Sequence, residues 1–332
     1  MKAHTLTHPA PIETAPLRLV EWERPIPAAN ELLVRIAVCG VCHTDLHVVE
    51  GELPNPALPL IPGHQIAGRV EAVGADVTRF APGARVGIPW LHETCGECDY
   101  CRRGQENLCE KARFTGYTAQ GGYAEYTTIH EDFAVPLPDQ FTDLRVAPLL
   151  CAGIVGYRSL RLADLEPGER LGLYGFGGSA HICLQAARHW GCPVYVFTRN
   201  EEHRRHALEL GAVWVGSAQD EPPVKLDRAI IFAPAGWIVP LALGHLRKAG
   251  TLCINAIHTS PIPEMPYHLL WHERTIRTVA NATRRDAEEF IPLAAEIGIQ
   301  TTTQSFDFKD ANRALLLLKH SEINGVGVLV MG

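Results

Sequence analysis

Arg170-Leu-Gly172-Leu-Tyr174-Gly175-Phe-Gly177-Gly178-Ser179-Ala180-His181-Ile-Cys-Leu-Gln-Ala-Ala-Arg-His-Trp190 is the stretch whose reading decides the fold. Arg170–Tyr174 is an apolar β run, Ser179–Trp190 has helical periodicity, and glycines crowd the turn between them. Gly175, Gly177 and Gly178 let a backbone approach a ligand closely, and the start of the following helix meets that ligand with unpaired N–H groups and the positive end of its dipole. Such a turn suits a pyrophosphate, so the segment reads as a G-x-G-x-x-A dinucleotide fingerprint with Ala180 at the last position. The same residues hold Gly177-Gly-Ser179-Ala-His181, which has the look of a nucleophile elbow. The closing glycine of G-x-S-x-G is absent, and a serine hydrolase is set aside.

Outward from this turn, apolar strand runs alternate with helical stretches: Val194–Thr198, Glu201–Leu210, Ala229–Ala233, Val239–Leu246 and Thr251–Ala256. That alternation predicts a parallel, doubly wound α/β sheet beginning near Cys151. The first 150 residues instead read as short β segments, Leu32–Val38, Gly68–Val73, Arg85–Ile88 and Tyr123–Ile129, punctuated by Pro and Gly. After Arg284 come a helix (Asp286–Ile297), a strand-like Thr301–Phe308, a second helix (Lys309–His320) and a final apolar run, Gly327–Met331. Periodicity leaves two placements for this tail, as an extension of the α/β domain or as a return to the β-rich one. No repeat of fixed period is present.

A chain of 332 residues with 46% hydrophobic content can fill two cores. Its 30 Lys and Arg against 37 Asp and Glu give a net charge of −7, and no basic run exceeds Arg204–Arg205 or Arg284–Arg285, which argues against a nucleic-acid partner. Met1–Arg24 contains no apolar signal core, and nowhere are 18 apolar residues consecutive. A cytoplasmic protein without a membrane partner is expected.

Four of the ten cysteines crowd into Cys95-Gly-Glu-Cys98-Asp-Tyr-Cys101 and Cys109, spaced C-x2-C-x2-C-x7-C. In a reducing compartment that crowding points to metal, and four thiolates wrap one tetrahedral Zn²⁺ with no open position, the pattern of a structural site. An iron–sulfur cluster is the competing reading, but the familiar run has a three-residue last gap and a following proline. Free core cysteines fit this polar loop badly. Cys39-Gly-Val-Cys42-His43-Thr44-Asp45 closes a β run, and Gly63-His64-Gln65 follows about twenty residues on. A thiolate, an imidazole and a second thiolate from a distant part of the chain would make a three-ligand zinc site open to substrate oxygen. A redox pair, half of another structural site, and a purely structural histidine are alternative readings of the same residues.

The order of Cys39–His47, Pro62–Gly68, the four-cysteine loop, Ala147–Tyr157 and the glycine turn resembles that of zinc-containing alcohol dehydrogenases of the medium-chain dehydrogenase/reductase superfamily, over nearly the whole chain. The resemblance implies an α/β chain with a GroES-like β-rich catalytic domain (1–150 and 286–332) and a Rossmann dinucleotide-binding domain (151–285), the tail returning to the former. It implies Cys42, His64 and Cys151 as catalytic zinc ligands, Cys95, Cys98, Cys101 and Cys109 as structural zinc ligands, and Cys39, Cys183, Cys192 and Cys253 as bystanders. Asp45 is then expected to orient a ligand histidine, Thr44 to hydrogen-bond the bound alcohol, and His47 to pass its proton through the cofactor ribose to solvent. His43 is placed near the pyrophosphate. Two departures stand out. Gln65 replaces the usual Glu after the ligand histidine, and Ile323-Asn324-Gly325 is followed by Val326 where the family often has a phosphate-binding arginine.

The expected activity is hydride transfer between a small primary alcohol or aldehyde and a nicotinamide dinucleotide. Trp90 is expected either to narrow the pocket or to be a simple core aromatic. A polyol or longer aldehyde as substrate is the second reading, and a catalytically silent dinucleotide-binding relative the third, against which the intact Cys42, His64, Cys151, Thr44 and His47 speak. At the end of the second α/β strand the chain reads Thr198-Arg199-Asn200, with no carboxylate for a ribose 2′-hydroxyl. Arg199 offers a planar, permanently charged fork suited to phosphate, with Thr198 and Arg204 (and His203 beside it) as possible additions to the patch. NADP(H) is therefore expected over NAD(H), together with two Zn²⁺ per chain and a homodimer or homotetramer by resemblance.

Overall fold

The computed structural model describes residues 1–332 and divides them into two compact units, Met1–Cys151 with Thr283–Ala295 and Gln300–Gly332, and Ala152–Ala282 with Glu296–Ile299.

The second unit is built on a six-stranded parallel sheet in the order Trp214–Gly216, Val194–Phe197, Leu171–Tyr174, Leu226–Ile231, Leu246–Ile254, Thr275–Thr278. The first of these in the chain, Leu171–Tyr174, lies inside the sheet. The chain moves away from it on one side, then crosses over to Leu226–Ile231 on the other, so the reversal falls where Leu171–Tyr174 ends in the glycine turn. Ligands of doubly wound sheets collect at such a reversal. Leu171–Tyr174 and Val194–Phe197 are buried at every position because helices cover both faces. Leu173, Val196, Ile230 and Ala180 pack in one core layer, while Tyr174, Phe197, Ile231 and Leu243 pack in the other. The sixth strand, Thr275–Thr278, gave no sequence signal: it is a sheet edge with three of its four residues exposed, so no apolar pattern marks it.

The first unit holds a seven-stranded sheet in which Glu31–Gly40 is the hub, pairing antiparallel with Gln65–Val73, Tyr126–His130 and Val326–Val330. The tail question is answered here. Thr303–Asp307 runs parallel to Val326–Val330, whose Leu329 sits opposite Cys39, and the helix Ala311–Lys319 buries Ala314 and Leu315 in the same core as Leu32, Val34 and Ile66. Apart from Glu296–Ile299, which groups with the other unit, the tail lies in the β-rich unit. No helix is long and apolar enough to cross a membrane.

Candidate active site

Where the Glu31–Gly40 strand ends, Cys42 becomes the cap of the helix His43–Glu50. The Cys42 backbone N–H donates to Asp45 Oδ2 at 2.9 Å, a reciprocal cap that fixes the carboxylate of Asp45 at the helix start. The other oxygen, Oδ1, meets His64 Nδ1 at 2.8 Å, and Tyr123 donates its hydroxyl to Oδ2 at 3.3 Å. Asp45 and His64 are each 1% exposed. With Nδ1 held by a carboxylate, His64 presents Nε2 to Cys151 Sγ at 3.4 Å, and Cys151 Sγ lies 3.9 Å from Cys42 Sγ. Gly63 permits this placement: it has φ +96°, and a Cβ there would lie 2.4 Å from the Tyr123 ring.

The ligand atoms of Cys42, His64 and Cys151 all lie within 4.8 Å of one another. Two thiols and one imidazole, the imidazole's second nitrogen fixed by a carboxylate, form a donor set that suits Zn²⁺ with one position left over. The Cys42 thiol is drawn well below the ordinary thiol range by the hydrogen bond from Cys151 and, against burial, by His64. That is the thiolate form coordination needs. Burial disfavours a charged His64, but Asp45 and Cys42 raise it to about 10.

Thr44 and His47 lie on the same helix. Thr44 Oγ1 is 3.8 Å from Cys42 Sγ, and His47 Nδ1 is held by the carboxylate of Glu52. His43 is exposed. The Trp90 ring centre lies 6.1 Å from that of His64, and Phe114 packs 4.8 Å and Tyr117 6.5 Å from Trp90. Sequence reasoning missed Glu52, Tyr123, Phe114 and Tyr117, none of which belongs to a spaced motif. Gln65 is buried beside this site, its Oε1 without a hydrogen-bond partner, and Gly40 provides its room: a Cβ there would come within 2.5 Å of that oxygen.

In the second cluster, Cys98 Sγ lies 3.6 Å from Cys101, Cys101 Sγ 3.9 Å from Cys95, and Cys95 Sγ 3.5 Å from Cys109. Gly96 and Gly104, with φ of +71° and +70°, bend the loop on either side of the short helix Asp99–Arg102. All four sulfurs lie within 4.8 Å of one another, and all ten cysteines of the chain are free of disulfides. Cys39, Cys183, Cys192 and Cys253 are buried and belong to neither cluster.

In the other unit, Gly175 takes φ +87°, with Ala233 N only 3.0 Å from where a Cβ would sit. Gly177 caps the helix Gly178–His189 without any side-chain hydrogen bond, and Gly177 and Gly178 are exposed. Ser179 follows in the first turn. These free N–H groups and the open space around Gly177 fit a pyrophosphate. Thr198 is buried and accepts from Asn200 N at 3.4 Å, while Arg199 is exposed and has no ion pair. Arg204 is engaged elsewhere: its Nε donates to Thr198 O at 2.9 Å and its NH1 pairs with Glu201 at 2.7 Å.

Comparison with known proteins agrees with this architecture. Residues 28–139 match the alcohol dehydrogenase GroES-like domain, and residues 178–296 match the zinc-binding dehydrogenase family. A probable alcohol dehydrogenase AdhA of Mycobacterium tuberculosis is 49% identical over 100% of this chain and 97% of its own length. An alcohol dehydrogenase of Geobacillus stearothermophilus is 35% identical, over 95% of this chain and 96% of its own. Among solved structures, the cinnamyl alcohol dehydrogenase SbCAD4 of Sorghum bicolor superposes with a TM-score of 0.89 at 26% identity, covering 99% of this chain and 98% of that one. The CAD of Helicobacter pylori, solved with NADP(H), gives 0.87 at 25% identity over 99% and 97%. The acetophenone reductase of Geotrichum candidum, solved with NAD, gives 0.87 at 25% over 99% and 96%. The chain belongs to the zinc-containing alcohol dehydrogenases of the medium-chain dehydrogenase/reductase superfamily.

Proposed function

We propose that this alcohol dehydrogenase interconverts small primary alcohols and their aldehydes, with a catalytic zinc on Cys42, His64 and Cys151, a structural zinc on Cys95, Cys98, Cys101 and Cys109, and NADP(H) preferred over NAD(H). Residues 1–150 and 286–332 would carry the zinc chemistry, and residues 151–285 would hold the dinucleotide. The observation that carries the reading is the convergence of two thiols and a carboxylate-held imidazole from three distant segments. When bound, zinc supplies a Lewis acid that acidifies the substrate hydroxyl, and the nicotinamide supplies the hydride acceptor or donor.

The chain's own residues do the rest. Asp45 fixes which nitrogen of His64 is free, and its buried charge keeps that ring oriented. Thr44 offers a hydroxyl beside Cys42, able to accept the substrate's proton while donating its own onward. His47, held at Nδ1 by Glu52, keeps Nε2 free to receive a proton. Trp90, backed by Phe114 and Tyr117, forms an aromatic wall close to His64 that favours compact substrates.

Solved relatives carry either coenzyme, so the preference rests on Arg199. It stands exposed and unpaired where an acidic residue would bind the NAD ribose. Hydrogen bonds to charged groups contribute about 1.5–3 kcal/mol, so Arg199→Ala is expected to weaken NADPH binding roughly ten- to a hundredfold and to change NADH much less. Coenzyme titration by fluorescence decides. A native enzyme clearly favouring NADH would overturn the preference while leaving the zinc assignment intact.

A further inference from the structure

Three imidazoles gather in the parallel-sheet unit beside the glycine turn, and the hydride chemistry uses none of them. His181 lies in the first turn of the helix Gly178–His189, while His203 and His206 lie one turn apart on the helix Glu201–Glu209 and so share a face. The His181 ring centre is 4.8 Å from that of His206 and 6.3 Å from that of His203. Phe176, from the turn itself, packs under all three, 4.3 Å from His181, 6.4 Å from His206 and 6.5 Å from His203.

The free nitrogens are what mark this cluster. His181 Nε2 is shut off from solvent and has no hydrogen-bond partner, which is costly for a buried polar atom. His206 Nδ1 meets Glu209 Oε2 at 3.3 Å, and a carboxylate on one ring nitrogen turns the other outward as a ligand. The His203 side chain is engaged only in ring contacts.

We propose that His181, His203 and His206 form a third metal site, separate from both thiol clusters, for one first-row divalent cation of the kind imidazole prefers, such as Zn²⁺ or Ni²⁺. Metal–nitrogen bonds of about 2.0–2.1 Å in tetrahedral array set ligand ring centres roughly 5 Å apart. The 4.8 Å separation of His181 and His206 matches that value, while the 6.3 Å separation of His181 and His203 exceeds it, so coordination requires the partly exposed His203 ring to swing inward.

Protonation favours the same reading. Burial, with His206 and His203 alongside, lowers His181 to about 4, and burial together with His206 lowers His203 against the opposing pull of Glu202. The remaining charges on the second helix are largely paired off, Arg204 with Glu201 and Arg205 with Glu209. Neutral imidazoles bind metal without first shedding a proton.

The test is calorimetric titration of Ni²⁺ into the zinc-replete full-length enzyme, with elemental analysis before and after to show that the cysteine-bound zinc stays put. One equivalent of Ni²⁺ is expected beyond the zinc. Binding should weaken roughly tenfold or more in His203→Gln and in His206→Gln, both rings being partly exposed and tolerant of change. His181→Asn should behave alike, checked against its thermal unfolding. No additional equivalent, or binding of unchanged strength in both His203→Gln and His206→Gln, would overturn the proposal.

Discussion

Cys95 and Cys109 lie only 14 positions apart in the chain, with Cys98 and Cys101 between them, whereas Cys42 and Cys151 are separated by 109. The four-cysteine cluster is thus closed by one loop that needs little beyond its own glycines to turn. The other cluster exists only once a strand end, the Gly63-His64 turn and the segment after Ala147–Leu150 have been brought together by the sheet. The thiols differ little in exposure, Cys42 and Cys151 being partly exposed like Cys95, Cys98 and Cys101. What sets the cluster of Cys42 and Cys151 apart is the buried chain of hydrogen bonds behind it, from His64 to Asp45 to Tyr123. A local cluster supplies stability to its own loop. A cluster assembled from afar depends on neighbours that hold its side chains in place, as Asp45 and Tyr123 do here.

Substitutions can break that contrast, beginning with the thiols. If Cys42 holds the catalytic zinc as proposed, its removal forfeits several kcal/mol of Lewis-acid stabilisation, and Cys42→Ser is expected to lower kcat/KM by about a thousandfold or more. Cys39→Ser, in the core but outside the cluster, should keep most of the activity. Equal losses in steady-state assays would mean that both thiols serve one site. Asp45→Asn removes the carboxylate from His64 while preserving shape. A loss of about ten- to a hundredfold in catalytic-zinc affinity or activity is expected, read by competition with a chelator; an unchanged affinity would make Asp45 a helix cap only.

Cys98→Ser should leave turnover at low temperature nearly intact, yet reduce elemental zinc from two per chain to one and lower the unfolding temperature. A protein that retains two zinc ions and its thermal transition would sink the closed-site assignment. The smallest effect belongs to Tyr123→Phe, which deletes one 3.3 Å hydrogen bond to Asp45. Its worth is about 1 kcal/mol, a shift of several-fold in zinc affinity and no more; a loss as large as that of Asp45→Asn would show that Tyr123 governs the carboxylate.

The sequence is most legible where chemistry is local. The strand, turn and helix around Gly175 can be read off because backbone conformation and periodicity coincide there, and the gathering of the four cysteines because their spacing is short. Cys151 is less so. Nothing around it signals that it meets Cys42 and His64, and only resemblance singles it out among the ten cysteines. Glu52, Tyr123 and Phe114 act through neighbours far from any motif, so no spacing announces them. Arg204 shows another side of this: its place beside Thr198 suggests a phosphate contact, and one helical turn also puts it within reach of Glu201, a partner that the sequence pattern does not announce. The edge strand Thr275–Thr278 escapes because exposure removes the apolar pattern by which strands are found.

The pairing of Leu329 with Cys39 has a consequence for the order in which a newly made chain can finish its catalytic machinery. The hub strand that delivers Cys42 emerges from the ribosome early, but one of its flanking partners is encoded nearly three hundred codons later. Until Val326–Val330 has been synthesised, the Val38–Gly40 end of the hub lacks one of its strand partners, a short open edge of the kind that invites association between nascent chains. The parallel sheet, whose strands lie between Leu171 and Thr278, can be complete well before then. The parallel sheet can therefore close before the hub does, and a chain released before Val326 would lack the strand that seals the Val38–Gly40 end next to Cys42.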